Sequence, residues 1–236
     1  MFNLKARLEE MTTDKENTIS ITGEITKEPY FNHDNYGENF YQFEVSTERL
    51  SGVKDKIPLI ISERTCNIDT LKVGQTVKIK GQIRSYNYHA EEHEDDPTSR
   101  RKQRLIINVH VIDIAIMEEN SGITQSNDAM MIGYICKNPI YRKTPKGREI
   151  CDILLAVHRP YNSSVATKSD YIPCICWGRN ARYIGQMEVG TKIAIVGKLQ
   201  SRVYNKKISE FETEMRTAYE VSVAQVQEVE ETPCNL

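Results

Sequence analysis

Tyr171 and Trp177 bracket the segment YIPCICW, and Arg179 and Arg182 follow just beyond it. A π face beside guanidinium groups can stack on another planar ring and hold an anion next to it. Whether these side chains are free to do so depends on the backbone that carries them. Extended chain sends alternate residues to opposite faces, so Ile172, Cys174 and Cys176 share one side while Tyr171, Pro173, Ile175 and Trp177 share the other. The first set suits a core. The second offers a surface with an aromatic at each end.

Other chemistries find little support. There is no phosphate-binding glycine loop, no Ser/His/Asp order and no metal-ligand spacing, and the five histidines are scattered, so neither an enzyme nor a cofactor or metal is expected. His89 and His93 stand among acids, but in a loop without fixed geometry. The six cysteines form no Cys-x-x-Cys pair and read as reduced thiols filling apolar positions. No apolar run approaches the roughly 18 to 20 residues of a membrane span, and the first residues lack the apolar stretch of a secretory signal. A soluble, cytoplasmic protein is expected. The net charge of −2 hides an asymmetry: residues 1 to 128 hold 16 Lys and Arg against 22 Asp and Glu, whereas residues 129 to 220 hold 15 against 8. A polyanion would meet the second half.

The elements that must position these groups recur along the chain. ISITGEITKEPY from residue 19 aligns with AMMIGYICKNPIY from 129, pairing Gly23 with Gly133 and Pro29 with Pro139. FEVSTER pairs with ILLAVHR, DKIPLIIS with DYIPCICW, KVGQTVKIKGQIRSYNY with EVGTKIAIVGKLQSRVY, and NVHVIDI with EVSVAQV. Short runs of Val, Ile, Thr and Tyr between turn residues make the chain mainly β. The recurrence predicts two tandem domains, 1–117 and 129–229, joined by a linker at 118–128 and followed by a short tail at 230–236. FNLKARLEEM could add an amphipathic N-terminal helix. Five alternating strands with a short helix between the third and fourth describe a five-stranded Greek-key oligonucleotide-binding (OB) barrel, here twice.

The second copy also resembles bacterial single-stranded DNA-binding proteins, through IGYICKNPIYRKTPKGREICDILLAVHRPY, DYIPCICWGRNAR, VGTKIAIVGKLQSRVY and YEVSV in that order. The first copy shares only the skeleton of Gly, Pro and apolar positions. The resemblance implies sequence-independent coating of single-stranded DNA during replication, recombination and repair, by base stacking and phosphate contacts. It implies stacking at Tyr161, Tyr171, Trp177 and Tyr204, the last after the run Gln200-Ser201-Arg202. Phosphate contacts would come from Arg142, Lys143, Arg179, Lys198, Arg202, Lys206 and Lys207, and from their neighbours Lys146, Arg148, Arg159 and Arg182. Two-barrel relatives dimerise to four barrels, so a homodimer is implied. The chain closes on EVEETPCNL rather than a glycine-rich acidic tail, so recruitment of replication enzymes by such a tail is not expected. Stacking does not read the 2′-hydroxyl, which leaves single-stranded RNA open as a partner. A primosomal replication protein N-like adaptor, working mainly through protein contacts, is the alternative.

The first copy provides an internal control. Its equivalent strand, KIPLIIS, keeps Ile57, Leu59 and Ile61 but replaces the two aromatics by Lys56 and Ser62. Tyr161 falls opposite Leu50-Ser51, and only Tyr88, opposite Tyr204, stays aromatic. With Arg100, Arg101 and Lys102 in the long loop HAEEHEDDPTSRRKQ, Tyr88 forms a secondary candidate set. The first copy is therefore expected to bind weakly and to serve mainly in assembly.

Overall fold

The computed structural model describes residues 16–90, 102–118, 124–159, 168–207 and 213–230. Tyr161, Arg100, Arg101 and the expected N-terminal helix lie outside them. The first barrel comprises β1 (Asn17–Asn35), β2 (Glu38–Glu48), β3 (Lys54–Ser62), β4 (Thr76–Ala90) and β5 (Lys102–Ile116). The second comprises β6 (Ser126–Ile135), β7 (Ile140–Lys143), β8 (Glu149–His158), β9 (Ser169–Trp177), β10 (Lys192–Lys207) and β11 (Thr213–Glu228), with the helix α1 (Arg179–Ile184) between β9 and β10. Each barrel closes in the order first, second, third, fifth, fourth, first. One step in each closure is parallel, Leu59 beside Val109 and Cys174 beside Val221. Both are OB barrels.

Alternation supplies both cores. Ile57, Leu59 and Ile61 on β3, like Ile172, Cys174 and Cys176 on β9, are buried against inward residues of the neighbouring strands. Burial pushes the Cys174 thiol well up and Cys176 up to about 12, which suits inert packing residues. Gly23 and Gly133 meet one requirement in the two copies. A Cβ at either would lie 2.4 Å from a carbonyl oxygen, of Ser46 and Ala156 respectively, so the strands can cross that closely only at glycine.

Three local features depart from the sequence expectation. The first barrel has a single 3-10 turn, Ile68–Thr70, where a helix was expected. β-branched Ile68 and Thr70 are poorer helix formers than the Arg-Asn-Ala-Arg of α1, and Asn67 caps the turn by accepting from the Asp69 N–H at 3.2 Å. The second barrel breaks its first strand into β6 and β7, whereas β1 runs through bulges around Pro29. β6 begins at Ser126, inside the expected linker. Asn127 there is buried, donates to the Leu199 carbonyl at 2.6 Å and accepts from its N–H at 3.0 Å. Asn17 does the same for Ile83 in the first barrel.

The barrels are fused edge to edge. β1 pairs antiparallel with β6 from Asn17 opposite Met131 to Thr22 opposite Ser126, making one continuous sheet. Two ionic clamps related by the internal repeat reinforce the seam. Arg49 holds Asp55 at 2.6 Å and donates to the Ser201 carbonyl at 2.9 Å, while Asp55 accepts from the Ser201 N–H at 2.7 Å. In the mirror set, Arg159 holds Asp170 at 2.5 Å and donates to the Ser85 carbonyl at 2.9 Å, while Asp170 accepts from the Ser85 N–H at 2.6 Å. Both aspartates are about 1% exposed or less. Burial raises the Asp55 carboxyl, but the Arg49 guanidinium and the Ser201 amide and hydroxyl outweigh it and hold the group below the usual carboxylate range.

The seam corrects the place expected for Arg159. Its guanidinium is directed to Asp170 and Ser85 across the barrel junction rather than to an open phosphate path. The signal was present in the repeat: Arg49 occupies the equivalent position of a copy that lacks most of the aromatics expected to stack, so the arginine answers to the seam both copies share.

Candidate nucleic-acid interface

β9 projects Tyr171 and Trp177 outward, at 44% and 43% exposure, and the end of β10 projects Tyr204 at 37%. Pro173, between the first two on the same face, is half-buried, and Ile175 is buried. Ile175 lies in register with Asp152 on β8 and Ser222 on β11, so neighbours on both sides close over the middle of the strand and leave its ends open. Trp177 faces Ile150 across the β8–β9 pair. Beyond it Gly178 adopts φ 55°, a conformation that glycine tolerates, and turns the chain into α1. That turn brings the exposed Arg179 and Arg182 beside the tryptophan.

Cations surround this face. The Arg202 guanidinium lies over the Tyr204 ring, 5.6 Å from its centroid, and reaches Glu220 at 3.7 Å. Burial raises the Glu220 carboxyl and Arg202 opposes that shift. Arg142 pairs with Asp152 and Arg182 with Glu149, both at the surface where such pairs open readily. Lys143, Lys146 and Arg148 are exposed around the β7–β8 turn, Lys198 is exposed on β10, and Lys206 and Lys207 extend the β10 arm past Tyr204. Lys102 opens β5.

One feature escaped the sequence reading. The β10–β11 arm lies against β5 of the first barrel, leaving a cleft of about 310 Å3 lined by Arg104, Lys206, Arg216, Tyr204 and Tyr219 among others. The clustering of these cations depends on the fused sheet, which brings residues a hundred positions apart together. Glu214 pairs with Arg216 at 2.5 Å and tempers the charge. The equivalent face of the first barrel differs: Lys56 and Leu50 are exposed, Ser62 is buried, and Tyr88 is exposed beside Arg104 in register. Among the described residues, no group of three His, Cys, Asp or Glu side chains could hold a metal, and no helix is long and apolar enough to cross a membrane.

Residues 126–229 match the single-strand binding protein family. Over 83 residues the chain is 31% identical to single-stranded DNA-binding protein A of Bacillus subtilis (strain 168), a match covering 34% of this chain and 48% of that protein. It is 32% identical over 83 residues to single-stranded DNA-binding protein of Clostridium tetani (strain Massachusetts / E88), covering 34% of this chain and 57% of that protein. The chain thus spans about half the length of the curated relatives it matches. Wild-type single-stranded DNA binding protein from Thermus aquaticus superposes with a TM-score of 0.69 at 16% identity, over 93% of this chain and 96% of that one. The likeness runs through both barrels and shows a shared fold.

Proposed function

Because its residues 126–229 match the single-strand binding protein family, we propose that this chain binds and coats single-stranded DNA with little regard to sequence. Bases stack on Tyr171, Trp177 and Tyr204, with Tyr161 as a fourth platform. The phosphate chain runs past Arg179, Arg182, Lys198, Arg202, Lys206 and Lys207 on one side and past Arg142, Lys143, Lys146 and Arg148 on the other. The observation that carries this reading is the exposure of Tyr171 and Trp177 at the two ends of a strand whose other face is core. An exposed aromatic pair among cations gains by accepting bases, at roughly 1–3 kcal/mol each with little dependence on which base it is.

The binding is non-catalytic and serves DNA replication, recombination and repair in the cytoplasm. A homodimer supplies four barrels, two of them with the full platform. Anisotropy titration of the whole protein with labelled oligo(dT), over a range of salt, tests the proposal. Tight binding that weakens steeply with salt is expected, and failure to bind single strands at low salt would overturn it. A matched RNA series decides between the two nucleic acids.

A further inference from the structure

The outer face of the first barrel, which lacks the platform, encloses a cleft of about 550 Å3. Phe40 at the start of β2, Ile60 on β3, Tyr86 on β4, Asn108 and His110 on β5, and His33 on β1 line it. Phe40 stands directly opposite Ser62 in the β2–β3 register, as Ile150 stands opposite Trp177 in the β8–β9 register. Both barrels therefore carry one aromatic in the same cross-strand pair, on opposite members. Trp177 lies open at the surface. Phe40 is half-buried, stacks flat on His33 with ring centroids 4.8 Å apart, and lies 6.0 Å from the His110 ring.

The polar lining points to a ligand. Asn108 is 7% exposed, and its carboxamide makes no hydrogen bond among the described residues. The residue lines the cleft and its polar atoms keep access to solvent, so the amide can both donate to and accept from a ligand there. The equivalent residue of the second barrel is Glu220, an acid facing Arg202, so the amide belongs to the first barrel alone. Burial, with Arg84 and Arg159 nearby, lowers His110, so at neutral pH its imidazole offers one donor and one acceptor. Arg84 and Arg159 border the cleft but both reach Asp170. The cleft thus presents rings and neutral hydrogen-bonding groups, a lining suited to a nucleobase more than to a phosphate.

We propose that this cleft takes one unstacked base of a bound single strand, on the side of Phe40 not covered by His33, with Asn108 and His110 reading its edge. The inference rests on the strand-binding reading above and adds a base-discriminating pocket to a protein whose other barrel binds through an open platform. Whole-protein variants Phe40→Leu, Asn108→Leu and Trp177→Ala, titrated with dT, dC and dA oligonucleotides of one length, test it. Phe40→Leu should lower affinity for the preferred homopolymer by about 5-fold or more, the factor one stacked base supplies. Asn108→Leu should erase the preference among homopolymers, and Trp177→Ala should weaken all three alike. Wild-type affinities for dT, dC and dA that do not differ, or Phe40→Leu and Asn108→Leu proteins that bind like wild type, would overturn the cleft and leave the platform standing. A wild-type protein that binds no strand would overturn the strand-binding reading itself. Should Phe40→Leu lose thermal stability, ultraviolet crosslinking of wild type to bromodeoxyuridine oligonucleotides decides: adducts at Phe40 or His110 support the cleft, and adducts confined to the second barrel refute it.

Discussion

On the third strand of the second barrel, Tyr171 and Trp177 flank Ile172, Cys174 and Cys176; on the third strand of the first, Lys56 and Ser62 flank Ile57, Leu59 and Ile61. The inward sets are buried alike, and on the outward face Pro58 and Ile60 match Pro173 and Ile175, so the copies part only at the two flanking positions. The seam shows the opposite behaviour. Arg49, Asp55 and Ser85 in one copy correspond to Arg159, Asp170 and Ser201 in the other, and each barrel's arginine and aspartate grip the other barrel's serine. At the seam the residues kept in both copies hold the chain together, whereas Tyr171 and Trp177, held by one copy, stand at the surface. The comparison therefore separates two kinds of arginine in one short stretch, with Arg159 at the seam and Arg179 at the surface.

The largest expected effect lies in what the copies share. Removing one partner of a buried ion pair leaves an uncompensated charge, so Asp170→Ala and Asp55→Ala should each lower stability by about 3–5 kcal/mol in denaturant titrations. Similar losses would confirm the seam as symmetric. A large loss from only one would show that Arg84, which reaches Asp170 alone at 3.3 Å, makes the two clamps unequal.

Next in size are the stacking losses. Trp177→Ala should weaken oligo(dT) binding by roughly 10- to 100-fold, and Ser62→Ala at the matching position should leave it unchanged, as read by anisotropy. The salt dependence sharpens the contrast further. Lys206→Ala should reduce the slope of log K against log salt by roughly 0.7, the share of one single-strand phosphate contact, and Lys56→Ala should leave it unaltered. The smallest effect is one of pH. Because Asp55 titrates below its ordinary value of 3.8 in the folded protein, its contribution is complete above that value and fades as the pH falls through the lower folded one. Asp55→Asn should flatten that acid limb in thermal melts.

Much of this was legible in the sequence because it is local. Strand alternation set the inward and outward faces of β9, and the repeat placed the second barrel's strands against the first's. Crossing glycines at 23 and 133 followed from the same alignment. What the sequence concealed depends on the β1–β6 pairing. No periodicity reports that Ser85 lies beside Asp170, that Arg104 meets Arg216 and Lys206 across a cleft, or that Asn127 must cap a strand inside a stretch with linker composition. The displaced aromatic Phe40 was hidden for another reason. Its role appears only once the β2–β3 register shows Ser62 as its partner.

The division of labour between the barrels is tested most directly by two matched double variants of the whole protein, titrated with oligo(dT) under one salt condition. Tyr171→Ala with Trp177→Ala removes two stacked bases and should cost at least roughly 30-fold in affinity, while Lys56→Ala with Ser62→Ala should bind within about twofold of wild type. Equal losses from the two pairs, or none from the first, would contradict a platform confined to the second barrel.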